Sequence, residues 1–124
     1  MKLLLDTHAA LCWLADDARI GPAAERQLSD ETNRILLSAA VVWEVAIKRS
    51  LGKLQAPGNL AATLVAAGVK PLAITLDHAN TVESLPWHHR DPFDRMLVAQ
   101  ALAEGATIVS QDERMQPYGV PVIW

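Results

Sequence analysis

The sequence has little cysteine, few aromatic residues and no excess of positive charge. A single cysteine, Cys12, excludes an intramolecular disulfide and favours a cytoplasmic protein, in which we interpret Cys12 as a buried helix residue. Aromatic residues make up only 5% of the chain and the apolar content is mostly Ala, Leu and Val, which favours helices packed on a sheet over an all-β sandwich. Because the formal net charge is -3, any binding of nucleic acid must depend on a local site and not on a global basic field.

Long apolar runs are also missing. The N-terminal run over 2–5 is too short for a signal peptide, and no segment approaches the roughly 20 apolar residues of a membrane-spanning helix. The sequence therefore predicts a soluble, cytoplasmic protein that does not associate with a membrane. Its 124 residues fit a single domain, 1–124, and a hydrophobic content of 51% is enough for a substantial core.

Short apolar runs alternate with helical segments along the whole chain. The predicted strands are Lys2–Leu5, Ile35–Leu37, Thr107–Val109 and Val120–Ile123, with a short extended segment at Pro71–Ile74. The predicted helices are Ala9–Ala15, Pro22–Leu28, a segment from the N-cap Ser38 to Gly52, Leu60–Ala67, a short segment from Asp77, and a segment from the N-cap Asp91 through Pro92 to Glu104. This alternation is typical of an α/β fold with a parallel sheet and helices on both faces.

Four acidic residues are predicted to lie near the carboxyl edge of this sheet, where open parallel sheets form their sites. Asp6 ends the first strand, Glu44 lies in the helix after the second, Asp94 lies in the first turn of the last long helix, and Asp112 follows the strand Thr107–Val109.

Two of these acids project from apolar helix stripes. The residues on the stripe of Asp94 are Leu97, Val98, Ala101 and Leu102, and those on the stripe of Glu44 are Ala40, Val41, Ile47 and Leu51. A buried carboxylate is costly unless it is paired or binds a cation. Since several carboxylates at one sheet edge would repel one another, the sequence predicts a site for Mg²⁺, with Mn²⁺ as an alternative.

Three of the four acids also have an ordinary structural interpretation, which the residues alone leave open. Glu44 and Lys48 are four residues apart and fit an ion pair on a helix surface. Asp94 fits the N-terminal turn of a helix, where it would support the Asp91 cap, and Asp112 fits a turn.

The remaining polar residues give weaker signals. Arg90 and Arg95 flank the acidic start of the last long helix; Arg95 is predicted to bind a substrate phosphate, and an ion pair with a neighbouring carboxylate is the alternative. The four histidines lack the spacing of zinc ligands, and the four tryptophans are interpreted as core residues, although Trp87 borders the polar loop.

Five segments together resemble the VapC family of PIN-domain toxins. They are LLDTH over 4–8, SAA over 38–40 with WEVAIK over 43–48, LGKL over 51–54, HRDPFDR over 89–95 with AQA over 99–101, and IVSQD over 108–112. The resemblance spans nearly the whole chain in order, which makes it far more specific than one short acidic motif.

The resemblance implies a PIN fold, with a parallel sheet of about five strands between helices, and an endoribonuclease that is toxic when free. The family's acidic residues correspond to Asp6, Glu44, Asp94 and Asp112, of which Asp6 and Asp94 are implied as direct metal ligands. Asp91 is the nearest rival to Asp94, and Asp112 stands where some relatives lack an acid. The implied partners are a VapB-type antitoxin, an RNA substrate and a second copy of the chain, with a larger toxin–antitoxin complex as a further possibility.

The expected reaction is hydrolysis of an RNA phosphodiester by water activated on one or two metal ions. We expect Thr7 and Ser110 to orient ligands or waters. Two other classes stay open: a PIN-like binding module without catalysis, which the intact set of four acids disfavours, and a phosphatase or receiver-type α/β domain. The phosphatase class is disfavoured because Asp6-Thr7-His8 lacks a second acid two residues after Asp6.

Overall fold

The computed structural model describes residues 1–124 and contains one parallel sheet of five strands, as predicted. The strands are β1 (Lys2–Leu5), β2 (Arg34–Ser38), β3 (Lys70–Leu72), β4 (Thr107–Val109) and β5 (Val122–Ile123), in the spatial order β3-β2-β1-β4-β5. The α-helices are α1 (Thr7–Leu14), α2 (Pro22–Ser29), α3 (Ala39–Ser50), α4 (Leu60–Ala66), α5 (Leu76–Thr81) and α6 (Pro92–Glu104). Two 3₁₀ helices cover Val82–Ser84 and Glu113–Tyr118. None of the helices combines the length and the apolar character that crossing a membrane requires.

Successive strands are added to the sheet first on one side of β1 and then on the other. The chain first adds β2 and β3 on one side of β1, and then returns to add β4 and β5 on the other side. Because crossovers between parallel strands are as a rule right-handed, this reversal places the helices of the two halves on opposite faces of the sheet. Helix α1 packs with α3 and α4, and α5 packs with α6, while α3 also contacts α6. The carboxyl ends of β1 and β4 therefore flank a crevice of the kind in which open α/β sheets bind ligands.

Strand β1 lies at the centre of the hydrophobic core. Leu3, Leu4 and Leu5 are completely buried because helices cover both faces of the sheet, which explains the continuous apolar run in the sequence. Truncating one of these leucines to alanine would cost about 2–5 kcal/mol. The hydrophobic core thus holds β1 in place, and Asp6 directly follows this strand.

Capping residues fix where the helices begin and end at the carboxyl edge. Ser38 accepts a hydrogen bond from the backbone N–H of Ala40 at the start of α3, and Asp91 caps α6 with Pro92 in its first turn, both as predicted. Helix α6 ends at Gly105, whose φ of 64° is a left-handed conformation. The buried Gln100 accepts a hydrogen bond from the Ser38 hydroxyl and so connects the start of α3 to α6.

Several predicted boundaries were wrong by a few residues. Helix α1 begins at Thr7 and not at Ala9, because Asp6 is its N-cap. Helix α5 begins one residue before Asp77, because Thr75 and His78 form a capping box. The third strand covers Lys70–Leu72 instead of 71–74, and the last one covers Val122–Ile123 instead of 120–123. The two 3₁₀ helices were not predicted.

Candidate active site

An open cavity of about 590 Å³ lies at the carboxyl edge of the sheet, beside the ends of β1 and β4. It contains all four acidic residues that the sequence singled out, and Asp91 as a fifth carboxylate. The lining residues are Asp6, Thr7, His8, Leu11, Glu44, Lys48, Leu54, Asp91, Asp94, Gln111 and Asp112. The fold therefore brings together side chains that lie more than one hundred positions apart in the chain.

Asp6 is held at the end of β1 by the chain on both sides of it. One of its carboxylate oxygens accepts a hydrogen bond of 2.7 Å from the backbone N–H of Ala9, and its carboxylate is also hydrogen-bonded to Ser110 at the end of β4. The side chain is buried, and this burial raises the pKa of Asp6 despite the two hydrogen bonds. Ser110 also accepts a hydrogen bond from the backbone N–H of Asp112, so its hydroxyl orients two of the acidic positions.

Glu44 is a buried carboxylate with a partner on each oxygen. Oε1 accepts a hydrogen bond from the hydroxyl of Thr7, and Oε2 lies 2.8 Å from the Nζ atom of Lys48. The hydrogen bond to Glu44 raises the pKa of Lys48. The ion pair that the helix spacing suggested is thus present, with its lysine half exposed and its glutamate only 6% exposed and facing the cavity.

Asp94 is the carboxylate with the least favourable surroundings. Its burial, followed by the negative charges of Asp91, Asp6, Glu44 and Asp112, raises its pKa from 3.8 to about 7. The cap of α6 is formed by Asp91, whose Oδ1 accepts hydrogen bonds from the backbone N–H groups of Phe93 and Asp94. The side chain of Asp94 is therefore not needed as a cap and is free to face the cavity.

Asp112 combines a place in the cavity with a structural task. It caps the 3₁₀ helix Glu113–Tyr118 and receives the guanidinium of Arg114, with 2.8 Å between Oδ2 and Nη2. The hydrogen bonds from Arg114 hold the pKa of Asp112 well below its usual range. Asp112 thus has a structural role as a helix cap where the sequence suggested a turn residue, and this role does not conflict with a place in the cavity.

His89 is a site residue that the sequence analysis missed. Its Nε2 atom lies 2.9 Å from Oδ2 of Asp94 and 3.0 Å from Oδ2 of Asp112, and the residue is only 3% exposed. A single histidine hydrogen-bonded to two carboxylates does not have the spacing of zinc ligands, which is the sequence signal by which functional histidines are commonly identified. The only local signal is its position two residues before the helix cap Asp91.

The structure does not support the prediction that Arg95 binds substrate. Arg95 is only 3% exposed, and its guanidinium donates hydrogen bonds to the carbonyl groups of Val82, Leu85 and Pro86 and lies 3.8 Å from the ring centroid of Trp87. One residue along an α-helix corresponds to a rotation of about 100°, which turns Arg95 away from the side occupied by Asp94. Lys48 is instead the cavity's only lysine or arginine.

Trp87 covers the guanidinium of Arg95 while remaining exposed to solvent, so its interpretation as a core residue was wrong. The same interpretation of Trp43 was also wrong, because Trp43 is exposed.

The donor set of the cavity fits a hard divalent cation. All of its acidic ligands are carboxylate oxygens, which Mg²⁺ and Mn²⁺ prefer, and it contains no cysteine. Burial and, after it, the neighbouring negative charges raise the pKa of Asp94, and a bound cation would offset both effects. The open mouth leaves space for water and for a polyanionic ligand.

Comparisons with known proteins give a consistent result. Residues 3–120 match the PIN domain family. The chain is 30% identical over 123 residues to Ribonuclease VapC22 of Mycobacterium tuberculosis, which covers 96% of this chain and 93% of that relative. Among solved structures, VapBC2 from Rickettsia felis bound to a promoter DNA fragment has a TM-score of 0.72 at 14% identity, with 100% of this chain and 99% of that chain covered. VapC20 of Mycobacterium tuberculosis, described as a sarcin-ricin loop cleaving toxin, has a TM-score of 0.65 at 19% identity, with 95% of each chain covered.

Proposed function

The chain belongs to the PIN-domain family, in its VapC branch, and from this membership we propose that it is the ribonuclease toxin of a toxin–antitoxin pair. It hydrolyses phosphodiester bonds of RNA with the help of Mg²⁺ or Mn²⁺. The observation that carries this proposal is the convergence of Asp6, Glu44, Asp94 and Asp112 on one open cavity at the edge of the sheet. These residues are the four that the sequence pattern predicts, and they come from four separate segments of the fold.

The metal would be held by Asp6 and Asp94. Glu44 is less suited to direct ligation because a hydroxyl and an ammonium group already occupy its two oxygens. When bound, a divalent cation supplies the activation of water and the neutralisation of phosphate charge that hydrolysis requires. Asp112, hydrogen-bonded through His89 to Asp94, completes the acidic lining.

The side chains around these acids orient them and balance their charge. Thr7 and Lys48 fix the carboxylate of Glu44 from both sides, and Ser110 fixes that of Asp6. Lys48 is half exposed and is the one lysine or arginine that lines the cavity. We propose that its ammonium binds an oxygen of the RNA backbone, the role first expected of Arg95.

The proposed partners are a VapB-type antitoxin and a second copy of the chain. Several of the solved relatives were determined as VapBC complexes, which supports an antitoxin partner. Large apolar side chains are exposed on the surface, and their burial in an assembly would be favourable. They include Trp43, Leu51, Leu76 and Trp87. The protein would act in the cytoplasm as a homodimer, alone or within a larger toxin–antitoxin complex.

The test is cleavage of RNA by purified, antitoxin-free protein. We expect cleavage with Mg²⁺ or Mn²⁺, no cleavage in EDTA, and collapse of the rate in Asp6→Asn and Asp94→Asn. Asp77→Asn is the matched control, because Asp77 is an exposed carboxylate in the first turn of α5 and does not line the cavity. Undiminished cleavage in EDTA would contradict the metal mechanism.

Two other results would identify the competing classes. A protein that binds its antitoxin but never cuts RNA, at any divalent-ion concentration, would be a non-catalytic binding module. Turnover of a generic phosphate monoester without cleavage of RNA would indicate a phosphatase instead.

A further inference from the structure

We propose that His89 is a positioning residue that holds the carboxylates of Asp94 and Asp112 for a divalent cation, through an Nε2–H group whose tautomer is fixed by the backbone. This inference rests on the proposed function, since it concerns the geometry of the same metal site. It assigns to His89 the role of a hydrogen-bond donor and excludes the role of a metal ligand.

The contacts of Nε2 place one N–H group between two acidic oxygens. Oδ2 of Asp94 and Oδ2 of Asp112 lie 2.9 Å and 3.0 Å from this nitrogen, within hydrogen-bond distance of both. Asp94 is in the first turn of α6 and Asp112 follows β4, so the imidazole connects the acidic side chains of two separate elements. Without a donor between them, the two oxygens would repel each other.

The other ring nitrogen fixes the tautomer. Nδ1 lies 3.1 Å from the backbone nitrogen of Asp91. A backbone N–H can only donate, so Nδ1 must accept, and the hydrogen of a neutral imidazole is therefore on Nε2. Nε2 then points a hydrogen, and not a lone pair, at the two carboxylates.

This arrangement is the reverse of that in a metal-binding histidine. A ligating histidine donates its distal N–H to a carboxylate, carbonyl or water, and presents the lone pair of the other nitrogen to the metal. The ligand atoms of His89, Asp94 and Asp112 do lie within 4.8 Å of one another, which by distance alone would suit a metal ion. The hydrogen bond from Asp91 argues against that assignment, because it uses the lone pair of Nδ1 and leaves the hydrogen on Nε2.

The surroundings of His89 keep the ring in place. The residue is buried, and its backbone N–H donates a hydrogen bond of 2.9 Å to the hydroxyl oxygen of Tyr118. Tyr118 ends the 3₁₀ helix that Asp112 caps, so the backbone of His89 is tied to the same segment as one of its carboxylate partners. The ring is thus fixed through both the start of α6 and the segment after β4.

Two substitutions separate the donor role from simple packing. In His89→Gln, the side-chain amide can place an N–H donor near the position of Nε2, but it has no acceptor at the position of Nδ1. In His89→Asn, the shorter side chain can place an acceptor near Nδ1, but it cannot reach the carboxylates. Both variants remove the imidazole ring, so they serve as controls for each other.

The measurement is calorimetric titration of Mn²⁺ into metal-free protein, together with the melting temperature of the same samples. We expect His89→Asn to bind Mn²⁺ about 10–100-fold more weakly than wild type, the usual consequence of losing a group that orients metal ligands, and His89→Gln to stay within about threefold. If His89 only fills space, both variants will melt at a lower temperature and bind Mn²⁺ with equal affinity, which would overturn the proposal. If the wild-type protein binds no Mn²⁺, the proposed function and this inference both fail.

The tautomer can be tested without any metal. Long-range ¹H–¹⁵N correlation spectra of ¹⁵N-labelled, metal-free protein distinguish the two imidazole tautomers, and the signals that disappear in His89→Gln identify those of His89. We expect hydrogen on Nε2. Hydrogen on Nδ1 would overturn the assignment of His89 as a donor while leaving the proposed nuclease function intact.

Discussion

Replacing Asp94 by Asn should stabilise the metal-free protein at pH 8, because the substitution removes a charge that its surroundings disfavour. The Asp94 side chain is 20% exposed, and four other carboxylates add to the effect of its burial. Asparagine has nearly the same shape and no charge. A variant that loses catalysis but gains stability would show that the carboxylate is kept for function.

The size of the effect follows from the pKa of Asp94. The pKa of Asp94 rises from 3.8 to about 7 on folding. Since one pKa unit corresponds to about 1.4 kcal/mol, the fully ionised carboxylate lowers the free energy of unfolding of the protein by about 4 kcal/mol. Solvent screening at a partly exposed side chain reduces this value, and we expect a gain of about 2 kcal/mol in Asp94→Asn. For a chain of this size the melting temperature should then rise by roughly 6–10 °C.

The pH dependence has a definite sign. The folded protein holds the Asp94 proton more tightly than the unfolded chain does, because the pKa is higher in the folded state. The penalty is absent below pH 3.8, grows as the pH rises, and is complete above about pH 7. The advantage of Asp94→Asn over wild type should therefore be largest in alkaline solution and disappear in acid.

The assay is thermal unfolding of wild type, Asp94→Asn and the control Asp77→Asn in EDTA, from about pH 4.5 to about pH 8.5. The control loses a carboxylate from the first turn of a helix as well, but this one is exposed, so its stability should change by less than about 0.5 kcal/mol. Saturating Mn²⁺ should reverse the order, because the metal stabilises the wild type by mass action. A lower melting temperature of Asp94→Asn at alkaline pH, or a gain that persists unchanged in acid, would refute the reasoning and restore Asp94 to a role at the helix terminus.

The remaining predictions concern the groups around the carboxylates. Arg95→Lys should lower the free energy of unfolding by about 2–4 kcal/mol in urea denaturation, because lysine cannot satisfy the same carbonyl groups, whereas Arg90→Lys at an exposed position should change it little. The folded Arg95→Lys protein should cut RNA at close to the wild-type rate, and a specific rise in KM would contradict our assignment. Lys48→Met should raise KM for RNA and weaken its salt dependence with a smaller effect on kcat, while Lys53→Met, outside the cavity, should leave KM unchanged. Thr7→Val removes the hydroxyl that donates to the buried glutamate and should lower kcat about 10-fold with the fold preserved, as circular dichroism and single-turnover kinetics can establish.

Strands and helix caps could be predicted from the sequence where neighbouring residues alone determine them. The apolar runs at Lys2–Leu5 and Thr107–Val109 could be identified as strands because continuous apolar runs are typical of parallel strands that helices bury on both faces. Ser38 and Asp91 were identified as helix caps because serine and aspartate satisfy free backbone N–H groups directly. Asp6 was assigned to the end of a strand, but its second role as the N-cap of α1 was missed, which moved the predicted start of that helix to Ala9.

The carboxylates of the site and several of their partners were predictable, whereas the contacts of Arg95 and His89 were not. Asp94 could be placed on the buried side of its helix because the helical period relates it to residues of the same element. The carbonyl groups that bind Arg95 come from the segment 82–86, whose path is set by tertiary packing. His89 contacts Asp112, twenty-three positions away, through an arrangement that no spacing rule describes.

The cavity does not compensate its negative charges equally, and this inequality indicates where a cation matters most. Glu44 receives a hydroxyl and an ammonium group, Asp112 receives a guanidinium, and Asp6 receives a backbone N–H and a hydroxyl. Asp94 has only the shared contact with His89, and its pKa is the one that rises to about 7. A divalent cation would therefore gain the most electrostatic free energy at Asp94, because there it replaces a compensation that the chain does not provide. The unfavourable electrostatic surroundings of Asp94 in the metal-free protein are thus what favours binding of a metal ion there.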